Sequence, residues 1–98
     1  MTAPAHAESA EGTFTIVNEL GMHARAATKL VQLATRYPAC EIELEKDGQV
    51  ANGKSIMGVL LLCGSPGSIV RVRAAGAGAR AVVDAIGQLI ASRFGEER

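Results

Sequence analysis

The chain has no tryptophan, one tyrosine and two phenylalanines. Its core must therefore be aliphatic, built from Val, Ile, Leu and Ala. The lack of aromatics within a basic patch also argues against a binder of single-stranded nucleic acid, which stacks bases on aromatic rings. Neither sign of charge is in excess: ten basic and ten acidic residues cancel over 98 positions. Without a strong field, neither nucleic acid nor a membrane surface is an expected partner. Cysteine is scarce as well. Cys40 and Cys63 form no C-x-x-C pair, and His6 and His23 are the only histidines, so no zinc-ligand spacing arises. The two cysteines read as buried, reduced thiols of a cytosolic protein. No apolar run approaches the length of a membrane span, and the first residues lack the apolar centre of a signal peptide. A cytoplasmic location with no metal and no cofactor is expected.

What is present fits one domain with a modest core. Residues 1–12 are small and polar without periodicity, and read as a flexible N-terminal extension that includes His6; the domain proper is 13–98. Thr13-Phe14-Thr15-Ile16-Val17 alternates and predicts a half-buried strand, with Phe14 and Ile16 on one face. From Ala24 to Arg36, Ala27, Leu30, Val31 and Ala34 recur at helical spacing, and the helix stops before Pro38. Cys40, Ile42 and Leu44 alternate with Glu41, Glu43 and Glu45 to give a second strand. Asp47-Gly48 signals a hairpin turn, and Gln49-Val50-Ala51 returns as a third strand. Ser55 can cap a short helix from Ile56 to about Leu62, weakened by Gly58. That helix is apolar on all sides, so its residues either pack inward or leave an exposed patch. A fourth strand follows, with Val70 and Val72 inward and Arg71 and Arg73 outward. The last helix spans about Arg80 to Arg93 with the stripe Val82, Val83, Ile86, Leu89 and Ile90, and Gly95 to Arg98 is expected to fray.

The element order is then β-α-β-β-α-β-α. It implies an α+β open-faced sandwich: a four-stranded antiparallel sheet with three helices on one face and the other face wet. The glutamate-bearing strand and the arginine-bearing strand are expected to be neighbours, so that opposite charges face each other.

The stretch Gly21-Met22-His23-Ala24-Arg25-Ala26-Ala27 stands between the first strand and the first helix. A glycine allows a sharp turn there. The helix start offers unpaired N–H groups and a partial positive charge, and His23 and Arg25 converge on the same point. The combination suits a tetrahedral anion. An arginine in the first turn opposes the helix dipole, which an anion would offset. The same residues also fit an ordinary capping histidine beside a solvated arginine, and spacing alone leaves both readings open.

These residues resemble a known family. Gly21-Met22-His23-Ala24-Arg25-Ala26-Ala27 is similar to the G-[LIM]-H-A-R-P-A motif of HPr, the histidine-containing phosphocarriers of the bacterial phosphoenolpyruvate-dependent phosphotransferase system. Lys54-Ser55-Ile56-Met57-Gly58-Val59 is similar to the family's regulatory serine motif. Ala26 departs from the family's usual proline, which pre-sets the backbone of an early helical position. The resemblance implies an HPr-like fold and a carrier rather than an enzyme. His23 would take a phosphoryl group on Nδ1 from enzyme I. It would pass the group to a histidine or cysteine of a sugar-specific enzyme IIA- or IIB-type partner. Arg25 would neutralise the phosphoryl oxygens. Ser55 would be phosphorylated by the ATP-dependent HPr kinase/phosphorylase, and Thr28, Ile56, Met57 and Leu60 would form the docking surface of a monomeric chain. A second reading makes the chain a regulatory module, recruiting a transcription regulator through phosphorylated Ser55 and the apolar patch. A third assigns it to a nitrogen-related branch of the relay that handles no sugar.

Overall fold

The structure, a computed structural model, describes residues 8–62 and 64–98. His6 and Cys63 lie outside the described residues, and so does most of the expected extension. The elements are β1 (Ser9–Thr15), α1 (Ala24–Thr35), β2 (Glu41–Lys46), β3 (Gln49–Asn52), α2 (Ile56–Leu61), β4 (Ile69–Ala75) and α3 (Ala79–Ala91), followed by a 3-10 turn at Arg93–Gly95. The four strands form one antiparallel sheet in the order β1-β4-β2-β3. β4 thus inserts between β1 and β2, and β2 between β3 and β4. The chain consists of two interleaved β-α-β units, each with a third strand threaded between its own two.

The inward faces follow the alternation. Cys40, Ile42 and Leu44, then Val70, Val72 and Ala74, are buried against Ala27, Leu30, Val31 and Ala34 of α1, Val59 of α2, and Val82, Val83, Ile86 and Ile90 of α3. Asp47 and Gly48 take φ of 52° and 81°, the left-handed pair that a two-residue hairpin needs. On the wet face Glu43 stands opposite Arg73, and Glu45 opposite Arg71. Arg73 bridges Glu45 at 2.9 Å and Glu43 at 3.3 Å, while Arg71 reaches Glu45 at 3.7 Å and Glu11 at 3.8 Å. Each exposed pair contributes about 0.2–1 kcal/mol, so the network specifies strand pairing more than it stabilises the fold.

Three expectations need correction. β1 begins at Ser9, inside the stretch assigned to the extension, and ends before Val17, which is exposed. Ala, Glu and Gly are poor strand formers, but seven residues paired along β4 override that preference. The half-buried Phe14 ring of β1 packs onto α3 at Gly87, where a Cβ would come within 2.3 Å of the ring; a mid-helix glycine costs about 1 kcal/mol but admits the aromatic. The last helix ends at Ala91, and the chain reverses through Arg93 and Phe94 with φ of 60° and 55°. The tail beyond does not fray. Phe94 is fully buried, because the reversal turns its ring back into the core, and Glu96 is tied to the rest of the molecule as described below.

Candidate functional site

Gly21 adopts φ of +66°, and a Cβ there would lie 2.4 Å from the Gly64 carbonyl oxygen, so only glycine fits. The next amide, Met22 N–H, donates to that same carbonyl at 2.6 Å, and Met22 itself is buried. The turn delivers His23 in an extended conformation as the N-cap of α1. Its imidazole is 26% exposed. Nδ1 accepts from the Arg25 backbone N–H at 3.2 Å, in the manner of a capping side chain. Nε2 hydrogen-bonds Glu96 Oε2, which arrives from the far end of the chain. Arg25 is exposed, and α1 has no acidic residue in its first turn. The helix mouth therefore carries a partly exposed imidazole, both of its nitrogens hydrogen-bonded, beside an exposed arginine and the dipole's positive end.

Two residues of this site are absent from the sequence reading. Glu96, only 13% exposed at its side chain, also accepts from Asn18 Nδ2 at 2.9 Å. Asn18 is fully buried and donates its other amide hydrogen to the Gly21 carbonyl at 2.8 Å. Two acceptors on one side require the NH2 group there, so Oδ1 is left buried without a partner among the described residues. The Asn18 amide, foremost, and then the His23 hydrogen bond and the nearby Arg25 charge hold the Glu96 carboxyl below its ordinary value; partial burial acts in the opposite direction. Lys29 Nζ donates to the Phe94 carbonyl at 2.6 Å and pins the tail from the helix side. Phe94, four residues past Ile90, was the available signal for this anchoring.

The other named residues fall on or beside α2. Ser55 is its N-cap, with the hydroxyl accepting from Gly58 N–H at 3.0 Å. Lys54 does not face Ser55's hydroxyl. Its ammonium donates to the Tyr37 and Cys40 carbonyls at 2.9 and 2.6 Å and closes the end of the α1–β2 loop. Ile56 and Met57 are exposed, Met57 at 66%, so part of the apolar helix does form a patch. Leu60 is half-buried against the core, and Leu61 beside it is 68% exposed. Thr28 is half-buried, and its hydroxyl donates back to the Ala24 carbonyl at 2.8 Å. Among the described residues no group of three His, Cys, Asp or Glu gathers as metal ligands would, and no helix is long and apolar enough to cross a membrane.

Among the described residues, an open-faced α+β sandwich carries a partly exposed imidazole at the cap of its first helix. Residues 10–92 match the PTS-HPr family, described as the PTS HPr component phosphorylation site. The chain belongs to this family, the phosphocarriers of the phosphotransferase system. It is 43% identical over 82 residues to the phosphocarrier protein HPr of Cupriavidus necator, covering 84% of this chain and 91% of that one. It is 40% identical over 86 residues to the phosphocarrier protein NPr of Shewanella violacea, covering 88% and 93%. The crystal structure of HPr-C-His from Thermoanaerobacter tengcongensis superimposes with a TM-score of 0.86 at 40% identity, covering 91% of this chain and 99% of that one.

Proposed function

We propose that His23 accepts a phosphoryl group on Nδ1 from enzyme I and passes it to a IIA- or IIB-type partner in sugar uptake. The observation that carries this reading is the placement of Nδ1 against the Arg25 amide at the mouth of α1. A neutral imidazole is nucleophilic near physiological pH, and its phosphoramidate is labile enough to hand the group on. Phosphoryl transfer needs positioning and charge neutralisation, which Arg25 and the first-turn amides supply, and the partner completes the site. In this reading the chain is a cytoplasmic monomer with no catalytic cycle of its own. Partners dock on the α2 patch of Ile56, Met57 and the partly exposed Leu60, and on the rim at Thr28.

Ser55 serves as the regulatory site of an ATP-dependent kinase. A phosphate at the start of α2 is compatible with the helix dipole and leaves the fold intact. It also sets about two negative charges beside the apolar patch and disfavours an acidic partner. Ser55→Asp slows labelling of His23 without loss of fold; an unchanged rate removes the inhibitory role.

Intact mass spectrometry after incubation with enzyme I and phosphoenolpyruvate tests the carrier reading. One acid-labile phosphate is expected on the wild type. An acid-stable phosphate places the modification on a hydroxyl instead. The similarity to an NPr relative supports a nitrogen-branch reading as the second possibility. Labelling rates with enzyme I of the sugar branch and with its nitrogen-branch counterpart decide between them.

A further inference from the structure

We infer that Glu96 is a positioning residue for phosphoryl transfer at His23, and that Asn18 in turn positions Glu96. The inference rests on the carrier reading and adds two residues to it. The ring has two partners of opposite kind. The Arg25 amide can only donate, so Nδ1 must accept and keep its lone pair. An ionised carboxylate can only accept, so Nε2 must carry the proton. Both constraints specify one tautomer and, together, one ring orientation. Either partner alone leaves the ring free to turn about its remaining hydrogen bond.

Glu96 can do this only if it is itself held. Asn18, fully buried between the Gly21 carbonyl and Glu96 Oε1, holds one carboxylate oxygen and turns the other to the imidazole. The backbone leading into Glu96 is fixed by the buried Phe94 ring and by Lys29 on the Phe94 carbonyl. The same Asn18 amide thus ties the Gly21 turn, which delivers His23, to the tail, which aligns it.

During transfer the Nδ1 lone pair forms the N–P bond while the bond from phosphorus to the donor breaks, and that electron pair leaves with the donor. No proton has to leave His23. The ring becomes a cation with Nε2–H in place, and the Glu96 carboxylate already faces that proton. Onward transfer returns the electron pair to Nδ1 and restores the neutral ring. Glu96 therefore serves both directions of a relay and contacts the imidazole on the side away from the phosphoryl group.

The test uses the full chain with Glu96→Ala and Glu96→Gln. Ring-nitrogen NMR on the unphosphorylated protein is expected to show a protected Nε2–H proton in wild type and in Glu96→Gln, whose amide oxygen still accepts, but not in Glu96→Ala. Single-turnover labelling of His23 is expected to slow about tenfold in Glu96→Ala, with Glu96→Gln between it and wild type. Retention of the protected proton in Glu96→Ala overturns the inference, as does loss of the proton with an unchanged labelling rate. A wild-type chain that takes no phosphoryl group at all refutes the carrier reading and this role with it. That outcome is distinguished by absent label rather than by slowed label, and the NMR arm needs no donor.

Discussion

Two helices of this chain meet the same electrostatic demand in opposite ways. α3 starts at Gly78, which has no side chain to cap with, and the carboxylate of Glu8 fills the gap. Glu8 accepts from the Gly78 and Arg80 amides, each at 3.0 Å. The Arg80 amide, then that of Gly78, hold its carboxyl below the ordinary glutamate value. α1 starts at His23, a neutral cap, with an arginine in the first turn and no acid. One helix mouth is closed by a full negative charge from its own chain. The other satisfies one amide with an imidazole nitrogen, and its own chain's carboxylate, Glu96, sits on the ring's second nitrogen rather than on the helix amides.

The largest effect comes from keeping the α1 cap and removing the nucleophile. His23→Asn retains a capping side chain, so helix content by circular dichroism should hold while phosphoryl labelling vanishes; persistent acid-labile label would move the acceptor elsewhere. Phe94→Ala attacks the tail that reaches the α1 mouth. Emptying a fully buried aromatic site should cost about 3–5 kcal/mol in urea unfolding, and a cost under about 1 would show that the tail is not anchored there. Arg25→Ala should slow transfer at least tenfold, about 1.4 kcal/mol of barrier; an equal rate would mean that backbone amides alone balance the anion.

Glu8→Gln probes the α3 mouth and should leave the labelling rate untouched. Because the folded carboxyl sits below its unfolded value, the stability it contributes is present above the ordinary glutamate range. That stability is lost as pH falls through the lower, folded value. Unfolding curves from neutral to acid pH should therefore be flatter in the variant. Glu96 follows the same sign, so a residual acid dependence is expected in Glu8→Gln and should shrink further when Glu96 is also replaced. The smallest effect is expected from Ala26→Pro. Ala26 is the third residue of α1, before the first helical amide that finds a carbonyl partner, so proline removes no helical hydrogen bond. Stability should stay the same or rise by up to about 1 kcal/mol; a marked loss would mean that the buried site cannot take the ring.

Most of this arrangement was legible along the chain. Alternation of Cys40, Ile42 and Leu44 with three glutamates, the Asp47-Gly48 turn and the Ser55 cap each depend on neighbours within four residues, and all stand where local pattern placed them. The pairing of Glu43 and Glu45 with Arg73 and Arg71 was legible too, because complementary charges on two wet faces leave few alternatives. The misses share a cause. Ser9 to Gly12 form a strand only because β4 lies beside them, and Phe94 is buried only because the chain turns back after α3. Asn18 and Glu96 are 78 residues apart, and no local period connects them.

The sequence by itself determined the elements, their order and the local geometry of the candidate site. A glycine at φ of +66°, an imidazole cap and an arginine in the next turn are near neighbours, and short-range sterics and hydrogen bonding decide their geometry. Only the tertiary structure decided how that imidazole is aimed. Its second nitrogen meets a carboxylate from the far end of the chain, held by a buried asparagine and a buried ring. Those contacts exist only once the sheet and its three helices have closed around a common core.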